Sequence, residues 1–359
     1  VKLMNVGRNV VVLNDKSRKD PFSNDEERAI ITSIYYPTDD KNTQINVSNY
    51  MDLFDPSKDK AINILKDLGV DIEYLNTIET HIYNNYNPKY SNAKSDVILY
   101  SPGFGVSRDM YTYHIKYLVD CGYIVVSIGA TYESVFSIFP DGRVVNQTAQ
   151  LTNIKSTDFI LWRELLDTRV EDILYVINHL DLLFSQSLLE GFSYRSIGIV
   201  GHSLGGAAAF EVAKRDNRIR AGVMFDASFH LLDLEKNEKI DTPFLIMRQE
   251  KCTYDELLTE LSEGIINPFI SGFEKLYKQL NGYKAAVKVQ GAHHMTFSDV
   301  PIHFKDIEAI NKHEIISDYS TAFLSEFIQG KSYSLQNSFN HKRSADIVEI
   351  NIKGQTVSV

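Results

Sequence analysis

The sequence predicts an α/β protein with a mostly parallel central sheet flanked by helices, and two observations carry that expectation. Apolar runs of strand length alternate with segments of helical periodicity from one end of the chain to the other, the pattern of strands joined by crossover helices. Several of the runs, such as SDVILYS (95–101), GYIVVSIG (122–129) and SIGIVG (196–201), are almost uninterrupted, as strands buried inside a sheet require.

In chain order, NVVVLND (9–15) and RAIITSIYYPT (28–38) read as an antiparallel start. The Asn- and Asp-rich stretch 39–94 holds one helical pattern near 58–68 and is expected to be an insertion or cap element. After SDVILYS comes the turn Pro102-Gly103-Phe104-Gly105, and Met110, His114, Tyr117, Leu118 and Cys121 then recur at helical spacing. GYIVVSIG is the next strand. A loop rich in aromatics, part of a second expected cap element (130–157), leads to a long helix with the apolar stripe Leu166, Val170, Ile173, Ile177 and Leu180. SIGIVG, AGVMFD (221–226), TPFLIMRQ (242–249) and KAAVKVQG (284–291) are four further strands, with helices expected at about 204–215, 254–263, 270–281 and 314–329. The organisation expected is one domain over 1–335 and a tail, 336–359, carrying the strand-like piece DIVEINIK (346–353).

Composition narrows the function. With 359 residues, 43% hydrophobic and 23% charged, the chain is long enough to build a core without disulfide or metal staples. A formal net charge of −10 and no basic run argue against a nucleic-acid partner. No stretch approaches a membrane span, which leaves peripheral lipid contact through an apolar patch as the membrane option. Cys121 and Cys252 are read as two free thiols. No H-E-x-x-H or Cys/His cluster occurs, and His293-His294 has no third ligand at a plausible spacing, so neither metal nor cofactor is expected. The chain starts at Val1, compatible with a removed signal peptide, and cytoplasmic and secreted locations both stay open.

Residues 201–206 read Gly-His-Ser-Leu-Gly-Gly, directly after an apolar strand and directly before the helix-forming run AAAFEVAKR. G-x-S-x-G in that context is the turn that presents a nucleophilic serine, here Ser203, in an α/β-hydrolase fold. The glycines permit the sharp turn, and the helix N-terminus faces the negative charge that forms in acyl transfer. A serine hydroxyl needs a histidine base, and the base needs a carboxylate to orient it, in the chain order Ser, acid, His. Past the strand KAAVKVQG stand His293 and His294, which the residues alone do not separate. Asp226, ending AGVMFD, is the favoured acid, with Glu250 and Asp255 after the next strand as alternatives. The oxyanion hole is expected to use the N–H of Leu204, the residue after the nucleophile, and that of Phe104 in the glycine-flanked turn. Tyr132 and Phe136, in an apolar loop with Val135, Ile138 and Phe139, are candidates for the wall of an acyl pocket.

Together these residues resemble the platelet-activating-factor acetylhydrolase family and its bacterial esterase relatives. GHSLGG (201–206), AGVMFDASF (221–229) and HMTFSD (294–299) carry the likeness, and YSPGFGVSR (100–108), YESVFSIFPDGRVV (132–145) and DTRVEDILYVINHL (167–180) are weaker matches. The resemblance implies Ser203 as nucleophile, Asp226 as an early-placed acid and His294 as base, with Phe297 and Asp299 following it. The chain departs from the family in the turn Ser101-Pro102-Gly103, where mammalian members carry a histidine before the glycine. It departs again at Ile128-Gly129-Ala130, which lacks an aspartate-histidine pair. The function expected is a serine hydrolase acting on short or medium acyl esters. Alternatives are a phospholipase of the acetylhydrolase type, an acyltransferase using the same triad, and a non-catalytic binding protein on the same fold.

Overall fold

The computed structural model describes residues 3–89, 94–340 and 345–357. Residues 90–93 of the expected insertion and 341–344 and 358–359 of the expected tail therefore lie outside the described residues. Among the described residues twelve strands occur in chain order: β1 (Val6–Lys19), β2 (Glu27–Pro37), β3 (Ile82–Asn84), β4 (Ser95–Ser101), β5 (Ile124–Ile128), β6 (Phe136–Ile138), β7 (Val144–Asn146), β8 (Tyr194–His202), β9 (Ile219–Phe225), β10 (Phe244–Arg248), β11 (Lys284–Val289) and β12 (Ile347–Glu349). All but the β6–β7 hairpin join one sheet in the order β12-β11-β10-β9-β8-β4-β5-β2-β1-β3. The six strands β5, β4, β8, β9, β10 and β11 run parallel, whereas β2 and β12 attach antiparallel on either side.

Alternation within each central strand feeds two cores. Val97, Leu99, Ile197 and Ile199 point to one face, where helices Phe159–Asn178, Leu204–Arg215 and Glu263–Gln279 pack. Ile98, Tyr100 and Val200 point to the other, covered by helices Thr112–Asp120 and His313–Phe327. Both faces are buried, so the strands read as continuous apolar runs.

Three segments differ in detail from expectation. Helices were expected at about 254–263 and 270–281 with a break between them; instead a single turn, Tyr254–Leu257, precedes a helix over Glu263–Gln279 that passes through Pro268. Burial of Ile265, Ile266 and Phe269 along one face outweighs the poor helix propensity of Gly264 and Pro268. Within 39–94, β3 pairs in parallel with the edge of β1. The strand-like piece at 346–353 supplies β12, which pairs with β11 from Val287↔Glu349 to Val289↔Ile347.

The chain leaves β4 for β5 on one side and returns to β8 on the other, so β4 marks the place where the strand order reverses and ligand crevices open at strand C-termini. Register brings Ser101 opposite Gly201, His202 opposite Phe225 and Phe225 opposite Met247. The turns after β4, β8, β9 and β10 therefore emerge side by side.

Candidate active site

Ser203 caps helix Leu204–Arg215 with φ 55° and ψ −118°, a conformation that side-chain-bearing residues rarely adopt. The glycines around it are dictated by collision. A β-carbon on Gly201 would lie 2.0 Å from the Gly205 carbonyl oxygen, and one on Gly205 would lie 2.1 Å from that of Ser101. The turn is pinned on both sides: Ser203 N–H donates to the Phe225 carbonyl at 2.9 Å, and Ser228 N–H donates to the Ser203 carbonyl at 3.0 Å.

His294 opens a short 3₁₀ turn, His294–Phe297, in the loop after β11. Its Nε2 lies 3.0 Å from Ser203 Oγ and its Nδ1 lies 2.5 Å from Asp226 Oδ2. Asp226 is almost wholly buried, and its carboxylate also accepts the Gln249 backbone N–H at 3.3 Å and the Gln249 side-chain amide at 3.2 Å. His293 turns the other way. Its Nε2 is 3.0 Å from Asp306 Oδ2 and its Nδ1 accepts the Met295 N–H, capping the same turn. Glu250 accepts from Gly291 N–H, and Asp255 lies in the first turn of Tyr254–Leu257, so neither bonds His294 among the described residues. Behind the loop, Phe297 stacks on Phe225 with centroids 5.2 Å apart, and buried Asp299 accepts the N–H and hydroxyl of Thr112.

The N–H groups of Phe104 and Leu204, the expected oxyanion donors, make no hydrogen bond to other described residues. Gly103, next to Phe104, is packed so closely that an added β-carbon would sit 3.0 Å from His202 Nδ1 and 3.4 Å from Ser203 Cβ. The turn is held from beneath by Arg169, which donates to the Pro102 carbonyl at 2.6 Å, the Gly103 carbonyl at 3.3 Å and Ser101 Oγ at 3.1 Å. Both Glu133 oxygens accept from the same guanidinium, at 2.8 and 2.6 Å.

A family model for platelet-activating factor acetylhydrolase, isoform II, matches residues 7–315. The chain belongs to that family. Among curated relatives, a probable 1-alkyl-2-acetylglycerophosphocholine esterase of Arthroderma benhamiae is 27% identical over 36% of this chain and 30% of its own length. A platelet-activating factor acetylhydrolase of Canis lupus familiaris is 23% identical over 74% of this chain and 62% of its own. The chain thus spans under two thirds of the length of either relative. Among solved structures, a ferulic acid esterase from Streptomyces cinnamoneus superposes with a TM-score of 0.75 over 97% of both chains at 24% identity, a likeness of fold.

In this acetylhydrolase-family chain Ser203, Asp226 and His294 open onto a cleft of about 390 Å³. One wall is Phe104 and Trp162, whose rings meet edge-on with centroids 4.7 Å apart. The other is Leu257, Leu261, Ile265 and Phe269, and His230, Ser228 and Gln249 add polar edges. Tyr132 and Phe136 are not part of this lining. Phe136 is buried against Phe54, and Tyr132 donates its hydroxyl to Glu26. Their loop passes the Pro102–Phe104 turn, where Glu133 meets Arg169; there Phe136 and Phe139 are buried in the core, and Tyr132 packs partly buried beside Ile31 and Phe139. Trp162 and Phe269 were not singled out from the sequence; they lie in unrelated segments, and no local pattern joins them. Arg169 did leave a signal, as a charge on the apolar stripe between Leu166 and Ile173. Among the described residues no group of three or more His, Cys, Asp or Glu could hold a metal, and no helix is long and apolar enough to cross a membrane.

Proposed function

We propose that this protein hydrolyses carboxylic esters of short or medium acyl chains through an acyl-enzyme on Ser203. The observation that carries the reading is the hydrogen-bonded series Ser203–His294–Asp226 at the mouth of a cleft with apolar walls. Ser203 Oγ attacks the ester carbonyl carbon as His294 Nε2 takes the hydroxyl proton, and the carbonyl oxygen becomes an anion facing the N–H groups of Phe104 and Leu204. The C–O bond to the alcohol then breaks, and the alcohol leaves with the proton from His294. Water repeats the sequence on the acyl-enzyme and releases the carboxylic acid. Asp226 stays ionised throughout, fixing the ring tautomer that leaves Nε2 free to accept.

A second reading, phospholipids carrying a short acyl chain, is favoured by the apolar rim. Tyr254 and Leu258, beside the cleft residue Leu257, are 43% and 50% exposed, and Ile160, two residues before Trp162, is 86% exposed. The relatives' names point to the same substrates.

One experiment tests both. A fluorophosphonate probe should label the wild-type protein and not Ser203→Ala, and p-nitrophenyl esters from acetate to palmitate should be turned over best at the short end. Comparable turnover of a short-chain phosphatidylcholine would select the phospholipid reading. Labelling or esterase activity that survives in Ser203→Ala would refute the nucleophile.

A further inference from the structure

His202, between Gly201 and the nucleophile, has no part in the proton transfers above, yet it is wholly buried and bonded at both ring nitrogens. Its Nε2 lies 2.8 Å from the His294 backbone carbonyl and its Nδ1 lies 2.8 Å from the Tyr111 hydroxyl. That hydroxyl also accepts the Gly103 N–H at 2.7 Å.

The chemistry of the end groups orients the whole series. A peptide carbonyl only accepts, so His202 Nε2 carries the hydrogen and donates to His294. Nδ1 of the neutral ring must then accept, and the Tyr111 O–H donates to it. The tyrosine oxygen in turn accepts the amide hydrogen of Gly103. Each hydrogen in the series is donated once, to an atom able to accept it. Burial foremost, with the neighbouring His294 charge, pushes the His202 imidazole down to about 3, so the ring stays neutral and the direction of the bonds does not reverse in the ordinary pH range. One end of the series is the residue before the oxyanion donor Phe104; the other is the residue that carries the base.

We infer that His202, acting through Tyr111, is a positioning residue that fixes the oxyanion turn and the base loop relative to each other across Ser203. The inference rests on the esterase reading above. Both ends must be correct at once only in the transition state, when negative charge faces Phe104 while the proton sits on His294. Loosening the link should therefore lower kcat and spare KM.

The test is a double-mutant cycle of Tyr111→Phe and His202→Leu with short p-nitrophenyl esters, rates being expressed per site labelled to completion by fluorophosphonate. Loss of folded protein then lowers the number of sites and leaves the rate per site unchanged. Each single variant should lose about 10–100-fold in kcat per site, the effect of unsatisfied buried partners, with KM within about threefold of wild type. Because the two residues serve one link, the double variant should fall no more than about threefold below the worse single. His202→Gln, which keeps a donor and an acceptor, should recover part of the loss seen in His202→Leu. A kcat per site within about twofold of wild type in Tyr111→Phe, single losses that multiply in the double variant, or His202→Gln no better than His202→Leu would overturn the proposal. Esterase activity in Ser203→Ala would instead overturn the reading beneath it.

Discussion

Asp226 lies enclosed at the end of β9, and burial by itself would push its carboxyl up. The hydrogen bond and charge of His294, the charge of Arg248 and the backbone N–H of Gln249 together hold it below the ordinary 3.8. Arg248 makes no ion pair among the described residues; its guanidinium lies over the rings of Phe229, Phe269 and Phe273, 5.4, 5.4 and 4.7 Å from their centroids. For a carboxyl with a depressed folded-state value, the stabilisation is complete above the unfolded pKa and is lost as pH falls through the folded one. Asp226→Asn is accordingly expected to fold, to flatten the acid end of the stability profile below about pH 4, and to lose about 10⁴ in kcat. Glu250→Gln should stay near wild type. Chemical denaturation across pH, beside steady-state rates, measures both effects. At the next position along the mechanism, His294→Ala should be nearly inactive and His293→Ala should retain most activity, since Asp306 already occupies the His293 ring. The strand-to-helix turn that presents Ser203 was legible in the sequence because backbone collisions forbid anything but glycine at 201 and 205. The two histidines were not separable from the residues alone, because Asp306, the group that draws one of them away, is thirteen positions distant and bears no motif.

Between residue and fold stands the long helix Phe159–Asn178, which carries two buried charges, Arg169 and Asp172. Arg169 clamps the Pro102–Phe104 turn, and Asp172 binds Arg28 of β2 at 2.7 Å and Arg18 of β1 at 2.8 Å. Glu133 balances Arg169, so Glu133→Gln leaves a buried guanidinium short of its counter-charge. That variant is expected to lose about 3–5 kcal/mol of stability and to lower kcat as the Pro102–Phe104 turn relaxes, which urea titration and initial rates would reveal. Unchanged stability would mean that Arg169 finds another anion. Element by element, the sequence was most readable where both faces of a strand are buried, as in β4, β5 and β8, because burial writes itself as unbroken apolar runs. It was least readable where contacts from elsewhere decide. β3 is three residues long in a polar stretch and exists through the edge of β1. The helix through Pro268 is held by Ile265, Ile266 and Phe269 against the core. The aromatic loop at 132–139 looked like a pocket wall because aromatic content marks buried surface and does not say which void it fills.

For the molecule as a whole, the candidate catalytic groups hang from the C-terminal ends of β4, β8, β9 and β11, four parallel strands that must all be in register at once. β12 guards the last of them. It covers the β11 edge, buries Ile347 completely, and is fastened by Lys312 to Asp346 at 3.0 Å. Removing residues 345–359 should therefore cost at least the about 1.5–3 kcal/mol of one buried isoleucine. It should also expose a pairing edge that drives self-association and reduce activity by loosening the strand that leads to His294. Thermal unfolding and light scattering of the shortened chain would check this, and a monomer of wild-type Tm would contradict it. The same strand has a consequence for how the protein is made. A ribosome completes β11 at Val289 and must add more than fifty residues before β12 begins at Ile347. Through that interval the open N–H and C=O groups of β11 are matched by the same strand on every neighbouring nascent chain of the polysome. Slow translation between those two points should therefore favour tangling between chains until the tail arrives to cover the edge.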